Sequence, residues 1–140
     1  MKRMLRQDER GSLAVEMAII APGLLLIFGL IFAYGRAAGV NGTLEAGTRD
    51  GARSATMARS YDEAVQRATQ AVSDAISGTP QACQATLEVT VSQDFTPGEP
   101  ITVTATCTYG LADIGLPGAP GSIRPTSSFT SMLDPYRGVQ

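Results

Sequence analysis

The sequence has no histidine and only one lysine, Lys2, and these absences remove most catalytic options. Ser-His-Asp hydrolysis, Cys-His chemistry and His-based zinc sites all require histidine. A Ser-Lys dyad would require a lysine in the part of the chain that folds outside the membrane, and there is none after Lys2. The carboxylates of that part are scattered, with no D-x-D or E-x-x-E cluster. The sequence therefore predicts a protein that is not an enzyme, with no catalytic residue, no metal ligand and no cofactor.

Charge is missing from one long stretch. The 19 residues from Met17 to Gly35 carry no charge and lie within an apolar run from Gly11 to Tyr34. As a helix, these residues would extend roughly 28 Å, close to the ~30 Å hydrocarbon core of a bilayer. Residues 1–11 have a net charge of +2, which favours a cytoplasmic N-terminus. We therefore expect a protein of the cytoplasmic membrane that contacts lipid, crosses the membrane once and has its C-terminal domain outside.

The remaining 129 residues carry a net charge of −4, which argues against nucleic acid as a partner. Both cysteines, Cys83 and Cys107, lie in this exported part, where a disulfide can form and persist. Two free buried thiols are the alternative.

The junction before the apolar run allows two interpretations. Gly11 is followed five residues later by Glu16, which lies in the first turns of the apolar helix. One interpretation is a signal anchor whose glutamate happens to lie near the membrane surface. The other is a type IV prepilin junction, cut between Gly11 and Ser12 by a membrane aspartyl peptidase, with Gly11 allowing close approach to the backbone. In that case the new amine of Ser12 would pair with Glu16 of a neighbouring subunit and neutralise both charges.

Residues 10–58 resemble the TadE-like proteins, minor pilins or pseudopilins of the tight-adherence (type IVc) pilus system. The resemblance is carried by four motifs: R-G-S-L-A-V-E at Arg10–Glu16, Ala21-Pro22 inside the apolar helix, the exit Gly35-Arg36, and R-D-G-A-R-S-A at Arg49–Ala55. It implies cleavage after Gly11 and a role in assembling an adhesive pilus. The implied partners are a prepilin peptidase, other pilins and pseudopilins, and an inner-membrane assembly platform.

Pro22 also has a physical interpretation of its own. A proline inside a helix removes one hydrogen bond, and membrane helices tolerate this when neighbouring helices cover the freed carbonyl. Together with Gly23 and Gly29, Pro22 suggests close packing against other helices. The alternative is that proline and glycine are simply commoner in membrane helices. From Arg36 to Met57 a continuing helix is plausible although glycine-rich.

The exported part predicts a helix and a sheet. Ser60 and Glu63 have capping-box spacing, and an alanine-rich apolar stripe follows, which predicts a helix over residues 61–77 packed on a sheet. Alternating apolar residues predict two strands, Cys83–Val91 and Ile101–Tyr109. Antiparallel pairing with Leu87 opposite Val103 would place the two cysteines opposite each other. A disulfide there would contribute about 3–4 kcal/mol on the chain-entropy model.

The last third of the chain predicts a loop over residues 110–125 and a short third strand at Phe129–Leu133. The expected fold class is α+β, a long N-terminal apolar helix followed by a small domain in which a helix packs on a short antiparallel sheet. The expected divisions are a leader at 1–11, a transmembrane and assembly helix with its extension at 12–58, and the exported domain at 59–140.

Two functions fit this arrangement. The first is a minor pilin or pseudopilin of a type IVc pilus, with Gly11 and Ser12 as processing residues and Glu16 and Pro22 as assembly residues. Its destination after assembly would be the extracellular pilus. The second is a single-pass membrane protein that displays a small disulfide-stapled domain and never enters a filament.

Overall fold

The computed structural model describes the backbone of residues 5–136 and the side chains of residues 13–136. Its longest element is α1 (Leu5–Thr56), a single helix of 52 residues that continues through Pro22. The apolar run and the glycine-rich extension after Arg36 therefore form one rod, as the sequence predicted. The long apolar helix followed by a small helix-and-sheet domain confirms the expected α+β fold class.

Helix α2 (Tyr61–Ala75) begins at the predicted capping box. The Ser60 hydroxyl accepts a hydrogen bond from the Glu63 N–H at 3.3 Å, and the Glu63 carboxylate accepts one from the Arg59 N–H at 2.8 Å. A 3₁₀ turn, Ile76–Gly78, extends the helix to the predicted end. The apolar stripe Ala64, Ala68 and Val72 is buried. It packs mainly on the second half of α1 and also reaches β1 of the sheet.

The main sheet has three antiparallel strands in the order β1-β2-β5. They are β1 (Glu88–Val91), β2 (Pro100–Thr106) and β5 (Thr126–Met132). The odd-numbered residues of β2 are buried, as the alternation predicted. Strand β5 is the predicted third strand, longer than expected, and Val103 of β2 lies opposite its Phe129.

One predicted strand is wrong in its first half. Residues Gln81–Ala85 form a short helix, α3, and the strand begins only at Glu88. Pro80 lies at the helix N-cap, where a missing N–H costs nothing, and the short alternation in this segment is also compatible with one helical turn. The predicted register is wrong as well, because Val103 lies opposite Val91 rather than Leu87.

The region predicted as a loop contains a second, two-stranded sheet. Strands β3 (Tyr109–Gly110) and β4 (Ser122–Ile123) pair antiparallel, and a 3₁₀ turn at Leu111–Ile114 follows β3. We call residues 109–123 the β3–β4 hairpin. Two buried clusters make up the core. One joins α1 to the 3₁₀ turns and the disulfide, and the other joins α1, α2 and the main sheet.

Candidate functional site

The first part of α1 packs on other described residues only at its end, where the β3–β4 hairpin reaches Phe32 and Ala33. From Leu13 to Phe32 every residue is exposed except Gly29, which is half-buried. Fourteen large apolar side chains between Leu13 and Tyr34 are 46% to 78% exposed. We call residues 13–34 the apolar segment. By length and composition, α1 is the one helix among the described residues that is able to cross a membrane.

Burial energetics show what surroundings the apolar segment requires. Removing a large apolar side chain from water is worth about 1.5–3 kcal/mol when burial is complete, so these half-exposed side chains together amount to on the order of 20 kcal/mol. A typical domain is stable by only about 5–15 kcal/mol. The segment therefore needs lipid or the apolar helices of other chains around it.

Glu16 is the only charged residue of the apolar segment. Its side chain is exposed, and among residues 13–136 it takes part in none of the ion pairs. A carboxylate inside a bilayer costs about 2.5–3.5 kcal/mol at the centre of a helix and less near its ends. A positive group supplied from beyond these residues would offset that cost. Gly11 and Ser12, the predicted processing residues, lie outside the residues whose side chains the structure describes.

The surface around Pro22 is open. Because proline has no N–H, the carbonyl of Ala18 lacks its usual donor within the helix. A Cβ added at Gly23 or Gly29 would meet nothing within 4 Å. The structure therefore brings Glu16 and Pro22 onto one unpacked segment, with bare backbone next to the proline.

Polar and aromatic groups mark the end of the apolar segment. The Arg36 guanidinium lies over the Phe32 ring, 5.9 Å from its centroid, and Tyr34 is 78% exposed. Aromatic rings and snorkelling cations are typical of the boundary between lipid and water. Beyond this point α1 turns from an exposed rod into the spine of the folded domain, since Val40, Leu44 and Ala52 are buried.

The two cysteines lie far along the chain from the apolar segment. Cys83 and Cys107 are fully buried and joined by the predicted disulfide, with a Cα–Cα distance of 4.9 Å. Cys83 reaches its partner from helix α3 rather than from a paired strand. The disulfide links α3 to the end of β2 and stabilises the domain.

Sequence reasoning missed two contacts of α1. The first is the close crossing with α2, where a Cβ at Gly47 would lie 2.7 Å from Ala75 Cβ. The second is the contact of the β3–β4 hairpin with Phe32, where a Cβ at Gly115 would lie 3.2 Å from the ring. The spacing of Gly47 and Gly51, four residues apart, was a usable signal for the first. No local pattern indicated the second.

The comparisons with known proteins fit this geometry. A family model described as TadE-like protein matches residues 11–53. The N-terminal segment is TadE-like. This confirms the resemblance drawn from the motifs, and the match spans both the apolar segment and most of the packed half of α1. No curated protein and no solved structure is significantly similar to the chain. The TadE-like segment and its long apolar helix fit a single-pass membrane protein associated with the Tad pilus.

Proposed function

We propose that the chain is a minor pilin or pseudopilin of the tight-adherence (type IVc) pilus system and that its role is structural, not catalytic. The observation that carries the proposal is the continuity of α1. One helix combines an exposed apolar segment with a buried spine, and the TadE-like match runs across both.

Continuity matters because it fixes the domain relative to the apolar segment. Helix α1 is roughly 78 Å long at about 1.5 Å per residue, and about 30 Å of that length belongs to residues 13–32. The domain packs on α1 from Ala33 to Ala55. A displayed domain needs only a tether, whereas a filament built from packed helices needs every domain held at the same angle and height.

The second step of the proposal is an ion pair that Glu16 forms between neighbouring subunits. In the proposal, cleavage after Gly11 creates a positive amine on Ser12, and Glu16 of a neighbouring subunit accepts it. This ion pair neutralises the charge of Glu16, which is costly in an apolar environment. A subunit still in the bilayer lacks this partner, so pairing favours entry into the assembly.

The mature N-terminus tests the processing step. Mass spectrometry of the protein purified from membranes should find Ser12 as the first residue, because the peptidase cuts after Gly11. An intact leader, or a cut after Ala38 by a general signal peptidase, would contradict the proposal and favour the single-pass display protein.

A charge-removal variant tests the assembly step. Glu16→Gln keeps the side-chain volume and removes the charge, so the subunit should insert into the membrane normally but support little or no piliation. Glu45→Gln is the matched control on the same helix. Glu45 is exposed and pairs with Arg49 at 3.1 Å, an interaction worth about 0.5 kcal/mol or less.

Membrane fractionation and pilus counts by electron microscopy read out both variants. Normal membrane levels with few pili for Glu16→Gln, and normal pili for Glu45→Gln, support the proposal. Equal piliation in wild type and Glu16→Gln would reject the role of Glu16.

A further inference from the structure

The β3–β4 hairpin packs against the last turns of the apolar segment. Ile114 is buried in the same cluster as Ala33 of α1. Gly115 follows with φ +103° and lies against the Phe32 ring, where a Cβ would be 3.2 Å from Cε1. The backbone thus comes into direct contact with an aromatic residue of the segment that needs lipid or packed helices around it.

The hairpin and α1 together enclose an open apolar groove. Its volume is about 360 Å³, and its walls include Leu30, Tyr34 and Ala37 of α1 and Leu111, Leu116 and Ile123 of the hairpin. Leu30 and Tyr34 belong to the apolar segment, so the groove is continuous with the surface predicted to lie in the membrane. The residues that line it are all uncharged.

The charges at both ends of the apolar run determine how deep the hairpin lies in the bilayer. Glu16 and Arg36 bracket the 19 uncharged residues, which as a helix extend roughly 28 Å across a hydrocarbon core of ~30 Å. Phe32 is four residues before Arg36, so Gly115 lies about 6 Å inside the boundary that Arg36 marks. Moving the helix to lift the hairpin into water would pull Glu16 into the hydrocarbon by the same distance.

The hairpin has the composition that a bilayer interface requires. Asp113 is its only charged residue, and the Asp113 carboxylate accepts a hydrogen bond from the Gly110 N–H at 2.7 Å. The N–H groups of Leu111, Gly115, Leu116 and Ala119 also bond to carbonyls of the hairpin. Pro117 and Pro120 have no N–H to satisfy. Few backbone donors therefore lose a partner when water is removed.

We propose that the β3–β4 hairpin lies in the headgroup–acyl boundary of the outer leaflet and that its groove holds a phospholipid acyl chain. The inference rests on the membrane-spanning placement of α1 in the proposed function. It adds a second point of membrane contact, which holds the domain against the bilayer before the helix leaves it. Interfacial elements bury their apolar face about 5–10 Å into this boundary, which matches the depth inferred for Gly115.

Single-tryptophan reporters test this placement, because the chain has no tryptophan of its own. Leu116→Trp and Pro117→Trp are the two hairpin reporters, and Leu24→Trp is the span reporter. Gln66→Trp is the control reporter, exposed on α2 rather than on the hairpin. Each full-length variant is reconstituted in phosphatidylcholine–phosphatidylglycerol vesicles that carry bromine at shallow or deep acyl positions. An intact disulfide and an unchanged unfolding midpoint establish that each variant is folded.

The expected result is that shallow bromines quench both hairpin reporters by about half, deep bromines quench the span reporter, and neither quenches the control reporter. Iodide in the aqueous phase should quench only the control reporter. The inference is overturned if the hairpin reporters behave like the control while the span reporter is quenched. If the span reporter also escapes bromine, the membrane-spanning placement fails too, so the two failures are distinguishable. Loss of hairpin quenching as the protein-to-lipid ratio rises would identify a neighbouring helix as the occupant and contradict an acyl chain.

Discussion

The crossing of α1 and α2 makes one glycine of α1 costly to replace, whereas another on the same helix has room for a side chain. A Cβ at Gly47 would lie 2.7 Å from Ala75 Cβ and 3.3 Å from Val72 Cα. Carbon atoms in contact normally lie about 3.5–4.0 Å apart, so the two helices would have to separate by about 1 Å. At Gly42 a Cβ would meet nothing within 4 Å.

The same substitution should therefore have opposite effects at the two positions. Gly42→Ala should raise the free energy of unfolding by about 0.5–1 kcal/mol, because alanine has the better helix propensity and nothing obstructs it. Gly47→Ala has the same propensity gain but overpacks the interface at a cost of about 1–3 kcal/mol. We expect Gly47→Ala to be less stable than wild type by about 1 kcal/mol, and Gly51→Ala to fall between the two.

Thermal unfolding of the full-length variants in detergent, followed by near-ultraviolet circular dichroism of the tyrosines, measures the difference. Each kcal/mol should move the midpoint by about 3–6 °C for a domain of this size. Equal shifts of the same sign for Gly42→Ala and Gly47→Ala would refute the close crossing.

Three further predictions concern the folded domain. Replacing both Cys83 and Cys107 by serine should lower the free energy of unfolding by about 3–4 kcal/mol, and a loss below about 1 kcal/mol in chemical denaturation would contradict a stabilising disulfide. Tyr109→Phe should leave stability unchanged or raise it by about 1 kcal/mol, because the buried Tyr109 hydroxyl has no hydrogen-bond partner among the described residues and burial raises its pKa. A clear loss of stability would show that the hydroxyl has a partner. The backbone hydrogen bond from Arg59 and the Arg67 guanidinium hold the pKa of Glu63 below its usual 4.5. Stability gained from the ionised Glu63 should therefore be present above pH 4.5 and lost as the pH falls through the lowered pKa. Melting curves of wild type and Glu63→Gln should converge in acid, and a difference that stays constant from neutral pH to about pH 3 would count against the cap.

The sequence predicted elements best where one local pattern has one physical meaning. Ser60 and Glu63 predicted the start of α2 because a capping box satisfies two specific backbone donors. The alternation in β2 predicted its buried face, since no helix buries every second residue. The disulfide followed from two cysteines in a small domain that the sequence predicts to be exported, and the structure contains the disulfide.

The errors arose where one pattern fits two structures. Cys83, Ala85 and Leu87 alternate with polar residues, but over five residues that alternation also fits a helical turn, and Pro80 starts one. Because the predicted register was built on a strand at Cys83, it was wrong by four residues on that strand. Residues in a helical turn rise only about 1.5 Å each, against about 3.3 Å in a strand. The turn therefore keeps Cys83 close enough to bond Cys107 despite the error in register.

Local patterns did not identify the contacts between distant segments, although the spacing of Gly47 and Gly51 was compatible with a close helix crossing. Gly47 approaches α2, and Gly115 approaches Phe32, only because the domain folds back along α1. Neither contact follows from propensity, since glycine in a helix or turn has many explanations. They require knowing which face of α1 the domain covers.

The glycines of α1 connect this packing to the proposed function. The packing within the chain explains why positions 47 and 51 are glycine, because α2 fills the space where a Cβ of either residue would be. Gly35, Gly39 and Gly42 have the spacing of one helix face, yet a Cβ at each would meet nothing within 4 Å. Each of these glycines lowers the stability of the helix by about 0.5–1 kcal/mol relative to alanine. In the isolated chain, alanine would therefore be more stable at all three positions. A close approach by another helix would explain why this face has no side chains at these three positions, just as the approach of α2 explains the glycine at position 47. The exposed apolar segment needs apolar neighbours on independent grounds, and packed subunits satisfy both requirements at once, whereas lipid satisfies only the second.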